Sequence, residues 1–320
     1  MTMIWSRLLV LLAVLVAPAA AAQDALRIVL GYPAGATSDI LSRVAAEHMR
    51  GTLGRPVIVE NKPGAGGRIA NDTVKAATAD GSTILMTPVA TMAIFPHSFA
   101  GQLRYDPFTD FAPVTHLANF QLGFGVSSNV PAKSLAEYVD AVKKDSKLGF
   151  YGSAAPGSIP HFFGVMFARE AGINLTHVPY KGTAAAMQGI AGGEISGIST
   201  VAADIATLVK GGKARLLAVS GEKRFALMPD VPTFKESGFE KLVALPWYAF
   251  FAPAGTPKEA IDKISRAAIA AVRDPGINKK LEDMGLEPTG LGPAELGRIL
   301  KADYEKWGPV IRASGFKPGG

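Results

Sequence analysis

Residues 31–39 read GYPAGATSD. Asp39 is the one group in that stretch that could act as a base. The rest offers backbone amides and small hydroxyls. A short apolar run from Leu26 to Leu30 precedes it, and an amphipathic run opens at Ile40. The pattern predicts strand, tight loop and helix, with Thr37, Ser38 and Asp39 as favourable helix-start residues. The first amides of a helix have no intrahelical acceptor and carry partial positive charge. A loop of Tyr32, Pro33, Ala34, Gly35 and Ala36 lets an anion approach those amides, and no Lys or Arg is needed to hold it. The pattern recurs twice. NKPGAGG at 61–67 presents Gly64, Ala65 and Gly66, and SAAPGS at 153–158 presents Ser153, Ala154, Ala155 and Ser158. One tight strand-to-helix turn is commonplace. Three of the same make are expected to converge on one small carboxylate.

Other chemistries fit poorly. PGAGG lacks the Gly-Lys-Ser/Thr ending of a nucleotide phosphate cradle. There is no GxSxG and no cysteine. His48, His97, His116, His161 and His177 lack metal-ligand spacing, so neither metal nor cofactor is expected. No pair of carboxylates stands poised in the loops, which argues against an enzyme. A bare carboxylate would repel an anion, so Asp39 reads as a group that bonds the loop's own amides. Ser158 reads mainly as a helix cap and Ser153 as the better ligand contact. Trp247 and Tyr248 read as hinge packing.

Around these loops the elements follow in order. A strand at 56–60 (PVIVE), a helix over 68–77 and a strand at 82–87 (STILMT) complete a βαβαβ series. That order argues for a parallel sheet with helices on both faces. Apolar segments at 111–118 and 121–127 run close together, as a strand leaving one domain for another would. A second βα series occupies 134–220, opened by the capping box Ser134-Leu135-Ala136-Glu137. Residues 243–252 read as the return crossing. Thr256-Pro257-Lys258-Glu259 reads as an N-cap, a first-position Pro and a third-position Glu, and a last helix spans 293–313. The fold class is therefore α/β in two lobes, each a mostly parallel sheet flanked by helices. The first lobe is discontinuous, 23–121 plus 246–320. The second is 122–245, and two crossings make a hinge with the cleft at the strands' carboxyl ends.

The chain has 320 residues, 48% hydrophobic and 19% charged, enough for two domains with sizeable cores. Arg7, the apolar run from Leu8 to Val16 and Ala20-Ala21-Ala22 read as a Sec-type signal peptide cleaved after Ala22. Export without cysteine fits a bacterial periplasm better than a disulfide-built secreted fold. The net charge of +6 is spread in small groups rather than a basic stripe, so nucleic acid is not an expected partner.

The segments GYPAGATSD, VIVENKPGAGG, YDPFTDFAPV, YGSAAPGSIPH, HVPYKGTAAAMQGIAGGEI, LAVSGEKRFALMPDVPTFKESG and FFAPAGTPKE, in that order and spacing, resemble the substrate-binding proteins of tripartite tricarboxylate transporters, the Bug receptor family. The resemblance covers essentially the whole mature chain. It implies a periplasmic binding protein of the Venus-flytrap kind that captures a small organic carboxylate. The carboxylate loop would be Tyr32 to Asp39, supported by 63–67, with Thr87 at a strand end beside them. The second lobe would offer Ser153 to Ser158 and Tyr180, Lys181, Gly182 and Thr183. Implied partners are the membrane permease subunits of such a transporter. A sensor read by a membrane kinase is the alternative, with a periplasmic hydrolase or isomerase on the same scaffold behind it. A monomer is expected. The chain departs from the usual family pattern at Ala34 and Ala36, at Ala184 to Ala186 and Gln188, and near Ser199, where an acidic residue is often found.

Overall fold

The computed structural model describes residues 25–318. The signal-peptide assignment falls outside them. Two sheets organise the chain. The first has six strands in the order β11-β4-β10-β3-β1-β2, the second five in the order β7-β6-β8-β5-β9. In the first, β1 is Leu26–Leu30, β2 Val57–Asn61, β3 Thr83–Pro88, β4 Phe111–Phe120, β10 Trp247–Pro253 and β11 Leu286–Leu291. In the second, β5 is Leu122–Ser127, β6 Phe150–Ser153, β7 Thr176–Pro179, β8 Gly197–Val201 and β9 Ala214–Val219.

β1 shows why the centre of the first sheet is parallel. Leu26, Ile28, Val29 and Leu30 are fully buried, as expected of a strand covered by helices on both faces. It pairs in parallel with β2 and β3. The helices Thr37–Leu53 and Arg68–Lys75 follow β1 and β2, so both helix N-termini stand at the carboxyl edge of the sheet.

Each sheet is mixed rather than mostly parallel. β4, β10 and β11 pair antiparallel, and so do β5, β8 and β9. The cause is the two-crossing topology: a chain leaving a lobe on β4 must return on β10 in the opposite sense. The crossings are stitched together. Gln121 is buried and donates to Glu287 Oε1 (2.7 Å) and the Lys223 carbonyl, while its Oε1 accepts from the Gly221 amide. The Ser220 hydroxyl donates to the Ala244 carbonyl (2.6 Å) and accepts from the Leu122 amide. Trp247 is buried and donates through Nε1 to Asp303 on the helix Pro293–Ala313, as hinge packing requires.

Three local readings need correction. Thr256 does not cap the helix Lys258–Arg273: Pro257 occupies the N-cap position and the Thr256 hydroxyl donates back to the Pro253 carbonyl. Pro257 cannot offer a capping oxygen, and its fixed φ already starts the helix. In the predicted capping box, Ser134 accepts from the Glu137 amide, but Glu137 reaches the Lys133 amide rather than that of Ser134. The helix Pro275–Asp283 and β11 lie where no element was predicted. β11 contains Pro288 and Gly290 and pairs with a register shift, which an edge strand tolerates.

Candidate functional site

The loops after β1 and β2 are locked into one surface. Gly31 and Gly67 touch: a Cβ on Gly31 would lie 2.3 Å from the Gly67 Cα. Residues 64–67 all have positive φ, including Ala65 at 49°. A non-glycine residue held there stores strain, which is characteristic of a functional loop. Asn61 at the end of β2 donates to the Tyr32 carbonyl (2.9 Å) and to Asp39 Oδ1 (2.8 Å). The Tyr32 hydroxyl reaches the Gly66 carbonyl at 3.3 Å.

Asp39 is 2% exposed. Its carboxylate accepts from the Gly35 amide (2.9 Å), from Arg43 Nε (3.0 Å) and from Asn61. Burial alone would raise its pKa, but the Arg43, Gly35 and Asn61 bonds outweigh that and hold it below the usual carboxylate range. Its charge is therefore spent inside the loop, as a positioning group should be. Pro33, Ala34, Gly35 and Thr37 form the exposed rim, with Ala36 half-buried behind them. Ser38 is buried, and its hydroxyl has no protein partner among the described residues.

The helix starts at this edge are uncapped. Ala36 precedes Thr37–Leu53 and Gly67 precedes Arg68–Lys75, and neither makes a side-chain cap hydrogen bond. The amides of Thr37 and Ser38 are thus free for an anion. Thr87 lies beneath, 1% exposed, its hydroxyl 2.5 Å from that of Thr91. It supports the floor of the loop cluster. The Tyr105 hydroxyl in turn donates to the Thr91 carbonyl (2.6 Å).

In the second sheet the loops after β6 and β7 are zipped together. The Tyr180 amide donates to the Ser153 carbonyl and the Gly182 amide to the Ala154 carbonyl. The Ser153 side chain is fully buried. It donates to the Ala155 carbonyl and lies 2.8 Å from His177 Nε2. Ser158 caps the helix Ile159–Ala171 by accepting from the His161 amide, and donates to the Ala155 carbonyl. The Tyr180 ring packs where side chains on Gly152 or Gly189 would stand, and its hydroxyl points to Glu194 (3.3 Å). What remains at the rim is Ala154, Ala155, exposed Lys181 and Gly182, and Thr183 at the start of the helix Thr183–Gly192, which has no side-chain cap.

His161 and His177 stack behind this loop with ring centres 4.0 Å apart. Burial pushes their pKa values down to about 4 and about 3. Burial likewise takes His116, 2% exposed on β4, down to about 4. Each ring is neutral when folded but gains a proton on unfolding below about pH 6.5. These groups therefore stabilise the fold fully above pH 6.5 and lose that contribution as pH falls toward 4. Asp204, raised to about 6 by burial, and Asp303, also raised by burial, have the opposite sign as pH falls, whereas half-buried His97 and the lowered carboxyls of Asp39 and Glu60 add to the loss. Urea unfolding at pH 4.5 should show a loss on the order of 3 kcal/mol relative to pH 7. A flat profile would contradict the buried neutral rings.

Sequence reasoning missed Asp204 and assigned Tyr248 to hinge packing in preference to a pocket wall. Asp204 stands in the first turn of the helix Ala202–Lys210, and Tyr248 stacks on Phe120 with ring centres 4.9 Å apart. The Tyr248 hydroxyl lies within electrostatic reach of both Tyr32 and Asp204. An acid three residues past a strand end was the available signal for Asp204. Among the described residues, no group of three or more His, Cys, Asp or Glu could hold a metal ion, and no helix is long and apolar enough to cross a membrane.

Two mixed α/β sheets flanked by helices and joined by paired crossings, with helix N-termini facing between them, define the two-lobe periplasmic binding protein class. Residues 41–316 match the family described as tripartite tricarboxylate transporter family receptor, and the chain belongs to that family. The periplasmic binding protein BugD is 30% identical, with a TM-score of 0.79 over 92% of this chain and 99% of that one. An R. palustris protein solved with adipate is 28% identical, with a TM-score of 0.82 over 91% of this chain and 97% of that one. MatC from Rhodopseudomonas palustris, with bound malate, is 26% identical, with a TM-score of 0.78 over 90% and 98%.

Proposed function

We propose that this chain is a periplasmic receptor that closes its two lobes, 23–121 with 246–320 and 122–245, on a small organic carboxylate and hands it to the permease of a tripartite tricarboxylate-type transporter. The observation that carries this reading is the uncapped helix N-terminus at Thr37, locked to the loop before Arg68 by the Gly31–Gly67 contact and by Asn61. It offers free amides while Asp39, the acid of its own first turn, is already bonded to Gly35, Arg43 and Asn61. Malate and adipate bound to two relatives support a carboxylate as the ligand class. Closure buries the ligand and changes the surface a permease can read. Export by the N-terminal segment, cleaved after Ala22, supplies the compartment. The function is binding without turnover, since the loops present donors rather than a base.

The test is a thermal-shift and calorimetric comparison of carboxylic acids with their methyl esters on refolded, ligand-stripped protein. A ligand at 100 times its dissociation constant stabilises by about 2.7 kcal/mol, and the ester should give none of that shift. Equal shifts would sink the carboxylate reading. Gly35→Val is the matching variant. Gly35 has φ +84°, and nothing lies within 4 Å of an added Cβ. The side chain would enter open space on the ligand side, at a folding cost of about 1–2 kcal/mol from the left-handed backbone. Binding should fall by roughly 100-fold or more. Unchanged affinity would remove this loop from the site.

A further inference from the structure

Two acids flank the cleft, and they are treated oppositely. Asp39 receives an amide, a guanidinium and a side-chain amide. Asp204 receives one contact, from the Thr200 hydroxyl at the 3.5 Å limit of a hydrogen bond. No backbone amide donates to it and no Lys or Arg pairs with it among the described residues. An acid in a first helical turn often serves its own helix by bonding the free amides or offsetting the dipole. Here those bonds are not made, and burial pushes the pKa up to about 6 rather than down. A half-buried carboxylate with one long hydroxyl contact as its sole donor among the described residues is an energetic cost that the fold leaves standing.

Its position is built. The helix carrying it is tied to the hinge by the Ala202 amide donating to the Gln121 carbonyl (2.8 Å). The Tyr248 hydroxyl has no protein partner among the described residues, and both Tyr32 of the carboxylate loop and Asp204 are near enough to act on it electrostatically. Tyr248 itself is held at the hinge by stacking on Phe120, beside the Gln121 that anchors the Asp204 helix.

We propose that Asp204, with Thr200 and Tyr248, selects carboxylates that carry an N–H donor, an ammonium or an amide, at the end remote from the bound carboxylate. The inference rests on the receptor reading above. An ammonium or amide supplies the donor Asp204 lacks, and the bond is charge-assisted. A second ionised carboxylate at the same place meets like charge and is disfavoured.

The experiment is calorimetry at pH 7.5 on ligand-stripped wild type and Asp204→Asn. The ligands are matched linear monocarboxylates of three to six carbons ending in ammonium, amide, carboxylate or methyl. Wild type should bind the best ammonium or amide ligand roughly 10- to 100-fold tighter than the dicarboxylate of equal length. Asp204→Asn should lose most of the ammonium preference and bind the dicarboxylate at least as well as wild type does. Its thermal unfolding should be no lower than wild type, because the starved charge is gone. Tyr248→Phe, which keeps the ring on Phe120, should weaken ammonium ligands by less than Asp204→Asn. Carboxylates that bind with a ranking unaffected by residue 204 would overturn this proposal and leave the receptor reading intact. No binding by any acid, with folded protein, would overturn both.

Discussion

Gly31→Ala should unfold the loop cluster and abolish binding. The added methyl would lie 2.3 Å from the Gly67 Cα and 2.8 Å from the Gly67 carbonyl oxygen. Both are backbone atoms, so no side-chain rotation relieves the clash. The loops after β1 and β2 must separate, or β1, whose Leu26, Ile28, Val29 and Leu30 are fully buried, must shift in the sheet. Overpacking of that kind costs about 3 kcal/mol or more, a large part of the roughly 5–15 kcal/mol that holds a domain folded. Urea unfolding would read it directly. Gly51→Ala is the control: Gly51 is exposed inside the helix Thr37–Leu53, with nothing within 4 Å of a Cβ. That change should stabilise by about 0.5–1 kcal/mol. If Gly31→Ala proved as benign as Gly51→Ala, the two loops would not be in contact.

Asp39→Ala should be the second large effect. It leaves the Gly35 amide, Arg43 Nε and one Asn61 bond without their acceptor, though water reaches exposed Gly35 and Arg43. Losing a set of charge-assisted hydrogen bonds whose other partners stay solvated costs about 1–3 kcal/mol. The effect on binding should exceed what lost stability explains, since the rim from Pro33 to Ala36 loses the side-chain anchor that the Gly35 amide makes to the helix. Affinity should fall by at least about 100-fold even where calorimetry shows folded protein. Asp39→Asn should fall between wild type and Asp39→Ala, because one oxygen remains to meet Gly35. A folded Asp39→Ala protein that binds normally would show that Asp39 does not hold the loop.

Much of this fold is legible in the sequence, for physical reasons that differ from place to place. β1 could be read because five apolar-rich residues between polar flanks have one economical solution, a strand buried on both faces. The helix start at Thr37 could be read because hydroxyl and acidic residues after a glycine loop match what uncapped amides need. The role of Asp39 followed from charge alone: an acid beside an anion site must be occupied elsewhere. Ser158 as a cap followed from local bonding reach. β11 was not legible, because Pro288 and Gly290 break the alternation of an edge strand whose pairing comes from β4, far off in the chain. The antiparallel halves of both sheets were not legible either, since strand direction there is imposed by the route of two crossings.

Composition, motif order and local chemistry were enough for the α/β class and for the strand–loop–helix turns of the candidate site, because each depends on residues adjacent in the chain. Which side chains stand in that site was settled by three-dimensional packing. Ser153 turns inward to His177, Tyr180 folds back over Gly152 and Gly189, and Thr87 goes under the floor to Thr91. Asp204 and Tyr248, 44 positions apart and on different elements, come within electrostatic reach of each other. Orientation of a side chain at a loop end costs little locally, so long-range contacts decide it, and no spacing along the chain records them.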